Sequence, residues 1–369
     1  MNQLFRWDQM GLFLLALAAG ILPFAVPEVC AAALREGLTL CSGPLLLSLF
    51  PFLVVSRLLI QCPESDLLAL PFRLAAWGIG IRTPCAARVL CIGFLGGFAP
   101  AASAAAQAVR TGQLTAEEAD ALLPACICSG PSFVVLTVGQ SLLGSAELGV
   151  LLFASQITAN YLTAALLNRF AGVRSVKPGS AAPASPAPPR LDEILADAAI
   201  TYCKLCGFIL FFRLLAAGAG ALLPTGAGTL CAILLEVCSG CDLASRTGRW
   251  GSLLCCAVLS VQGLSVLLQV RTICPAEMPL HPLYRARILH LPLSLALFYL
   301  LLPGGEADVF STLPARVLLM RRVPPDCALL VFAVCCMAAC TLRSGIRQVE
   351  QKQMARNAGG CCINSKTLL

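Results

Sequence analysis

Apolar residues in this chain fall in long uncharged runs separated by short polar or charged joints. Ten runs can be read, at residues 11–29, 38–60, 86–109, 121–143, 148–170, 198–223, 228–242, 252–270, 288–302 and 327–342. A helix of about 20 apolar residues spans the hydrocarbon of a bilayer, so most of these runs are long enough to cross it. They predict an all-α, polytopic transmembrane helical bundle that leaves little chain for a soluble domain. Arg6 ahead of the apolar stretch 10–22 resembles the start of a signal peptide, but Pro23, Pro27 and Glu28 stand where a small-residue cleavage site should follow. The stretch is therefore read as a first, kinked membrane helix.

Residues 175–190 interrupt the pattern: their Pro, Ala and Ser cannot build a core and read as an extended linker. The two sides of the linker are partly alike. Phe52-Leu-Val-Val-Ser-Arg57 resembles Phe208-Ile-Leu-Phe-Phe-Arg213, and each is followed by glycine-interrupted apolar sequence. This weak internal two-fold repeat divides the chain into an N-terminal transmembrane helix (1–37), a first membrane repeat (38–170), the linker (171–192), a second repeat (193–280), C-terminal transmembrane helices (281–345) and a polar tail (346–369). Lys and Arg collect on the cytoplasmic side of short loops. Arg169, Arg174 and Lys177 place the linker there, and Arg343, Arg347, Lys352 and Arg356 place the C-terminus there. Five runs separate the two, an odd number that cannot return to one side, so one run is expected to be re-entrant; the short 228–242 is the best candidate.

The chemistry is expected where helices must come apart. Thr115-Ala-Glu-Glu118 is a capping-box pattern, so a helix should start at Ala116. It cannot run unbroken through its apolar segment, because Pro131 removes a backbone donor and clashes with the preceding turn, and Gly130 eases an irregular conformation. An opening is expected between Ser129 and Ser132. Peptide groups freed in hydrocarbon cost several kcal/mol each, so a break is tolerated only where it is buried in protein or lines a polar cavity. Pro100 behind Gly96 and Gly97, with Ser103 beyond, predicts a break in the preceding run. In the second repeat Ser239-Gly240 with Asp242, and Gln262-Gly263, predict the same.

A single Gly or Pro in a membrane helix commonly marks only a kink or close packing. Interruptions arranged as two pairs in two halves point instead to a substrate pathway. Glu236 and Asp242 flank the Ser239-Gly240 break and are suited to a cation, a proton or polar groups of a substrate; an interfacial Asp242 is the plainer alternative. Gln262 and Gln269, seven residues apart, fall on one helix face, either the cavity face or an interhelical hydrogen-bond seam. Arg57 and Arg213, at equivalent places in the repeat, are expected to snorkel to headgroups.

Composition agrees with a lipid environment: 58% of the 369 residues are hydrophobic and 12% charged, against roughly half and a quarter in ordinary globular domains. The net charge of +7 is scattered, with no basic block interleaved with aromatics, so nucleic acid is excluded as a partner. Most of the 21 cysteines lie inside apolar runs, as in Cys255-Cys256 and Cys335-Cys336, and act there as small hydrophobes. Cys203-x-x-Cys206 and Cys238-x-x-Cys241 have metal-like spacing, but neither of the two histidines is near them, so packing is favoured over a metal. Cys361-Cys362 does not match a prenylation box. A His-Glu-x-x-His helix, a pair of aspartates in facing apolar runs, a Ser with an intramembrane His partner and a phosphate loop are all missing, which argues against an enzyme or an ATP-driven pump. No cofactor or metal is expected. The expected partners are membrane lipid and a small polar solute or ion, and a homo-oligomer is compatible with these features.

Phe50-Pro-Phe, the Gly93 to Ser103 stretch, Leu114-Thr-Ala-Glu-Glu-Ala, and Cys126-Ile-Cys-Ser-Gly-Pro followed by Thr137-Val-Gly139 resemble the sporulation integral membrane proteins that carry the Gate, or nucleoside-recognition, domain. The second half is similar more loosely, at Leu235-Glu236-Val-Cys-Ser-Gly240 and from Gly263 to Gln269. The resemblance implies a multi-pass protein of the bacterial cytoplasmic membrane acting in spore formation, in the spore cortex, with paired broken helices forming a pathway. Where members of that family commonly carry Gly-Tyr-Pro and Asn-Asn, this chain has Gly97-Phe-Ala-Pro100 and Cys126-Ile-Cys128, which removes a hydroxyl and two amides from a nucleoside-like site. A membrane scaffold that transports nothing is the alternative reading.

Overall fold

The computed structural model describes residues 2–61, 63–172 and 191–302. The linker, the apolar run 327–342, both C-terminal cysteine pairs and the cations of the tail lie outside the described residues. Fourteen α-helices order the described chain: α1 Asn2–Ala25, α2 Pro27–Ser42, α3 Pro44–Gln61, α4 Leu70–Gly78, α5 Pro84–Gly96, α6 Phe98–Arg110, α7 Ala116–Cys126, α8 Ala146–Ala171, α9 Leu191–Leu222, α10 Thr225–Leu235, α11 Val237–Ser245, α12 Gly251–Val261, α13 Gly263–Ile273 and α14 His281–Leu301. A π-helical segment, Ser132–Leu142, follows α7, and the described residues contain no strand. The fold is an all-α bundle, and four stretches are long and apolar enough to cross a membrane: Pro27–Leu47, Ala146–Ala171, Leu191–Leu222 and Gly248–Ile273.

Local sequence explains the boundaries. α7 starts at the capping box, with the Thr115 hydroxyl accepting from the Glu118 amide and the Glu118 carboxylate accepting from the Thr115 amide. Two apolar runs divide where the sequence reading kept them whole. Pro27 at the first position of α2 separates it from α1 at Val26, and Gly43-Pro44 separates α3 from α2, so run 38–60 is not one helix. Proline tolerates a first helical turn because its missing N–H would have no intrahelical partner there. α4 was not expected; it lies in the joint between two runs and packs against α5.

Large apolar side chains are found both inside, as Phe212 and Phe298, and on the periphery, while α6 presents small ones to the interior. Phe24, Phe170, Leu300, Ile288 and Leu74 are each more than 70% exposed, whereas Ala99, Ala101, Ala102, Ala104, Ala105 and Ala108 along α6 are fully buried. Large apolar groups facing outward and small ones inward is the arrangement of helices that are solvated by lipid and pack by close backbone approach. Glycines mark the tightest places: a Cβ built on Gly139 would lie 2.5 Å from the Cα of Gly149 on α8, so the π-helical segment crosses α8 backbone to backbone.

The packing obeys an approximate two-fold exchange of α3 with α9, α5 with α10, α6 with α11, α7 with α12, the π-helical segment with α13, and α8 with α14. Two of the exchanged pairs pack directly on each other, α3 on α9 and α8 on α14. α6 packs on α13 as α11 packs on the π-helical segment, and α7 packs on α14 as α12 packs on α8. The internal repeat read weakly from Phe52–Arg57 and Phe208–Arg213 is thus a relation between whole helices.

Candidate functional site at two crossings of broken helices

The four helix interruptions meet in two pairs. In the first half α5 ends at Gly96, Gly97 turns with φ 81° and ψ −163°, and α6 begins at Phe98. α7 ends at Cys126, and helix resumes at Pro131 after four irregular residues. A Cβ on Gly97 would lie 2.6 Å from the Gly130 nitrogen and 2.9 Å from its Cα, so these breaks cross in direct backbone contact. In the second half Glu236 stands extended between α10 and α11, and Gln262 adopts a left-handed conformation, φ 67°, between α12 and α13. A Cβ on Gly263 would lie 3.2 Å from the Leu235 oxygen and 3.3 Å from the Glu236 nitrogen, which makes the second crossing. Under the two-fold exchange the Gly97–Gly130 crossing corresponds to the Glu236–Gly263 crossing.

Several expectations shift by a few residues. Pro100 and Pro131 do not open the chain; both sit in first helical turns, Pro100 two residues into α6, and Ser132 begins the π-helical segment. The openings are at Gly97 and residues 127–130, where Ser129 is buried. Gly96 makes room for the Pro100 ring, which would touch an added Cβ at 2.9 Å. The Ser239-Gly240 break is corrected to Glu236: both residues are helical, and Gly240 instead lets α11 approach Ile233 and Val258. Gln262 and Gln269 do not share one helix face, because the helix ends between α12 and α13 at Gln262 itself. Arg57 and Arg213 do not snorkel. Each finds a carboxylate on a neighbouring helix, Arg57 on Asp197 and Arg213 on Glu36, and their side chains are only 11% and 15% exposed.

Several peptide groups freed at the breaks have side-chain partners. The Glu236 carboxylate accepts from the amides of Cys238 at 2.9 Å and Ser239 at 2.7 Å, so it caps α11. Asp242 takes no part in this; it is partly exposed and pairs with Arg246 at 2.7 Å on the same helix. The Ile127 carbonyl, freed where α7 ends, accepts from Asn160 of α8 at 3.2 Å and from the Arg287 guanidinium of α14 at 3.1 Å. Arg287 also donates to the Asn160 side-chain oxygen at 3.2 Å and reaches the Ser260 carbonyl, at the end of α12, at 3.5 Å. The Gln262 amide donates to the Leu259 carbonyl at 2.7 Å. One buried guanidinium therefore bridges the break of one half to the helix end of the other.

A polar seam continues from Arg287. Gln156 of α8 donates to the Ser260 hydroxyl at 2.9 Å, Ser260 shares a hydrogen bond with Ser294, and His290 contacts the Gln156 carbonyl at 3.2 Å. Five buried polar atoms, Arg287 Nε, His290 Nδ1 and the side-chain oxygens of Gln156, Gln262 and Gln269, make no hydrogen bond to a described residue. Gln269 uses only its amide, on Ser265 at 2.9 Å. Ser103 lies apart from both crossings and lines a cavity at the ends of α6 and α13. No group of metal ligands forms among the described residues, and the Cys238 and Cys241 thiols are unpaired.

Arg287, Asn160, Gln156 and Ser260 were missed from the sequence. Arg287 stands one residue before the apolar run 288–302 and read as a joint, although Pro282 at the start of α14 carries the helix back over it. Asn160 and Gln156, four apart in the uncharged run 148–170, were the available signal, since polar side chains at that spacing share a helix face.

Fold and site together define a class, an integral membrane protein built from two related sets of broken helices whose interruptions cross within the bundle. Comparison with protein-family models, curated proteins and solved structures finds no match to this chain.

Proposed function

We propose that this protein binds a small polar solute or ion at its paired helix crossings and passes it across the bacterial cytoplasmic membrane during spore formation. The observation that supports this reading most is the pairing itself: breaks that cost several kcal/mol per freed peptide group in hydrocarbon recur at exchange-related places and meet each other. Discontinuous helices in corresponding positions of two halves are where transporters hold their cargo. The seam beside them supplies a buried cation, a carboxylate and unused amide oxygens, which can hold polar groups without water. The resemblance to Gate-domain sporulation proteins supports the cellular setting and the cortex as the process served. Such a protein needs no bound nucleotide, and an ion gradient would drive it.

Purified protein in sealed liposomes tests the reading with radiolabelled uridine, phosphate, ferrous iron and sodium. Saturable uptake of one of these is expected, falling at least about tenfold in Glu236→Gln and unchanged in Asp242→Asn. A protein that moves none of them, with Glu236→Gln silent in sporulating cells, would instead be a membrane scaffold.

A further inference from the structure

A cavity of about 160 Å³ lies away from both crossings, between α3, α6, α9 and α13. Its wall carries three cations, Arg57, Arg110 and Lys204, against one carboxylate, Asp197. Arg57 is the inner cation: it is 9% exposed, its Nη1 is spent on Asp197, its Nη2 reaches the Thr201 hydroxyl at 3.4 Å, and its buried Nε has no partner. Arg110 and Lys204 are exposed and form no ion pair or hydrogen bond with a described residue. The Ser103 hydroxyl, on the inner wall, is likewise unused by any described residue.

After Asp197 is set against one cation, a surplus of two positive charges faces a space several times the roughly 30 Å³ share of one water. It is smaller than the ~300–1,000 Å³ that takes a whole organic ligand, so it fits a ligand's head group. A phosphate monoester carries about −1.5 to −2 charges at neutral pH and three acceptor oxygens, which matches the surplus charge and the available N–H and O–H donors. A carboxylate would leave one cation unmatched. Ile200, 54% exposed, lies at the same wall and gives the rim an apolar edge.

We propose that this cavity is a binding site for a phosphate monoester, carried either by a soluble organophosphate or by an anionic lipid headgroup. The soluble case would name the solute class of the proposed transport function and rests on that reading; binding itself does not.

The test is thermal melting of the purified full chain, in neutral detergent with glycerol 3-phosphate, glycerol or sodium chloride of matched ionic strength, and in phosphatidylcholine nanodiscs with or without phosphatidic acid. Saturable stabilisation by glycerol 3-phosphate but not by glycerol assigns a soluble ligand; stabilisation by phosphatidic acid alone assigns a headgroup. In either case the apparent affinity should fall at least about tenfold in the double variant Arg110→Gln, Lys204→Gln, whose exposed positions leave the fold intact, and in Ile200→Glu, which sets a repelling charge at the rim. The proposal is overturned if neither phosphate probe stabilises the native chain beyond the salt control, or if both variants respond as the native chain does. Because nothing in the measurement requires flux, a protein that binds and does not transport is distinguished from one that does neither.

Discussion

Gly97→Ala is the sharpest probe of the first crossing. The native residue sits at φ 81° and ψ −163°, a region essentially reserved for glycine, where another residue costs of order 1–3 kcal/mol. The new methyl would also meet the Gly130 nitrogen at 2.6 Å and its Cα at 2.9 Å. Backbone cannot rotate aside as a side chain does, so an overpacking cost of about 1–3 kcal/mol adds to the strain. Together these give roughly 2–6 kcal/mol, a large part of the ~5–15 kcal/mol by which folded proteins are ordinarily stable. Gly172→Ala is the matched control: Gly172 also has positive φ, 63°, but nothing lies within 4 Å of its Cβ position, so only the left-handed term of about 1–2 kcal/mol remains. Buried free thiols such as Cys126, Cys128, Cys255 and Cys256 make a thiol-reactive dye a direct reporter of unfolding in detergent. At roughly 2–4 °C per kcal/mol, Gly97→Ala should lower Tm by on the order of 4–24 °C and Gly172→Ala by on the order of 2–8 °C, the first about two to three times the second. Equal shifts for the two would show that the breaks do not touch, and the crossing would be refuted.

Other substitutions separate the roles of the polar groups. Arg287→Leu removes the donor to Asn160 and one of two donors to Ile127, and should cost about 1–3 kcal/mol per buried group left unpaired, read as a Tm loss in the same melt; Arg287→Gln, which keeps an amide donor, should lose less. Glu236→Ala leaves the amides of Cys238 and Ser239 without their cap and should cost about 0.5–2 kcal/mol, whereas Asp242→Asn, at an exposed pair, should change Tm by less than a degree or two. Asn168→Leu strips donors from the carbonyls of Ile79 and Ala121, at 3.0 and 3.1 Å; slowed amide exchange at the end of α4 and in the middle of α7 should be lost in that variant if these bonds tie the two helices to α8.

Much of the architecture was legible along the chain. Runs of apolar residue of bilayer length fix helix as the only open structure that satisfies its own backbone in lipid. The Thr115–Glu118 box and the glycines before Pro100 and Pro131 announced a start and two interruptions, because capping and backbone freedom are local properties. Even so, the opening expected at Ser129–Ser132 lies two residues earlier, at 127–130: Pro131 starts a helical turn, and the irregular chain lies before it. The Glu236 break had no glycine or proline at its own position to announce it. An acid in an apolar run was visible as unusual, but its use as a cap depends on the chain turning there, at a place where Gly263 of another helix comes close to Leu235 and Glu236.

By itself, then, the order of residues determined that this chain lives in lipid, that its apolar runs are helices, that it carries a weak internal repeat, and that some of its helices cannot be continuous. Those conclusions follow from solvent preference and from dihedral limits that each residue carries wherever it sits. Tertiary structure alone decided that the breaks meet in pairs, that Arg287 serves a carbonyl from the first half and a helix end from the second, and that Arg57 and Arg213 turn inward to carboxylates. These are contacts between residues as many as 177 positions apart, and no local preference encodes which distant carbonyl or carboxylate the packing of helices will bring within reach of a side chain.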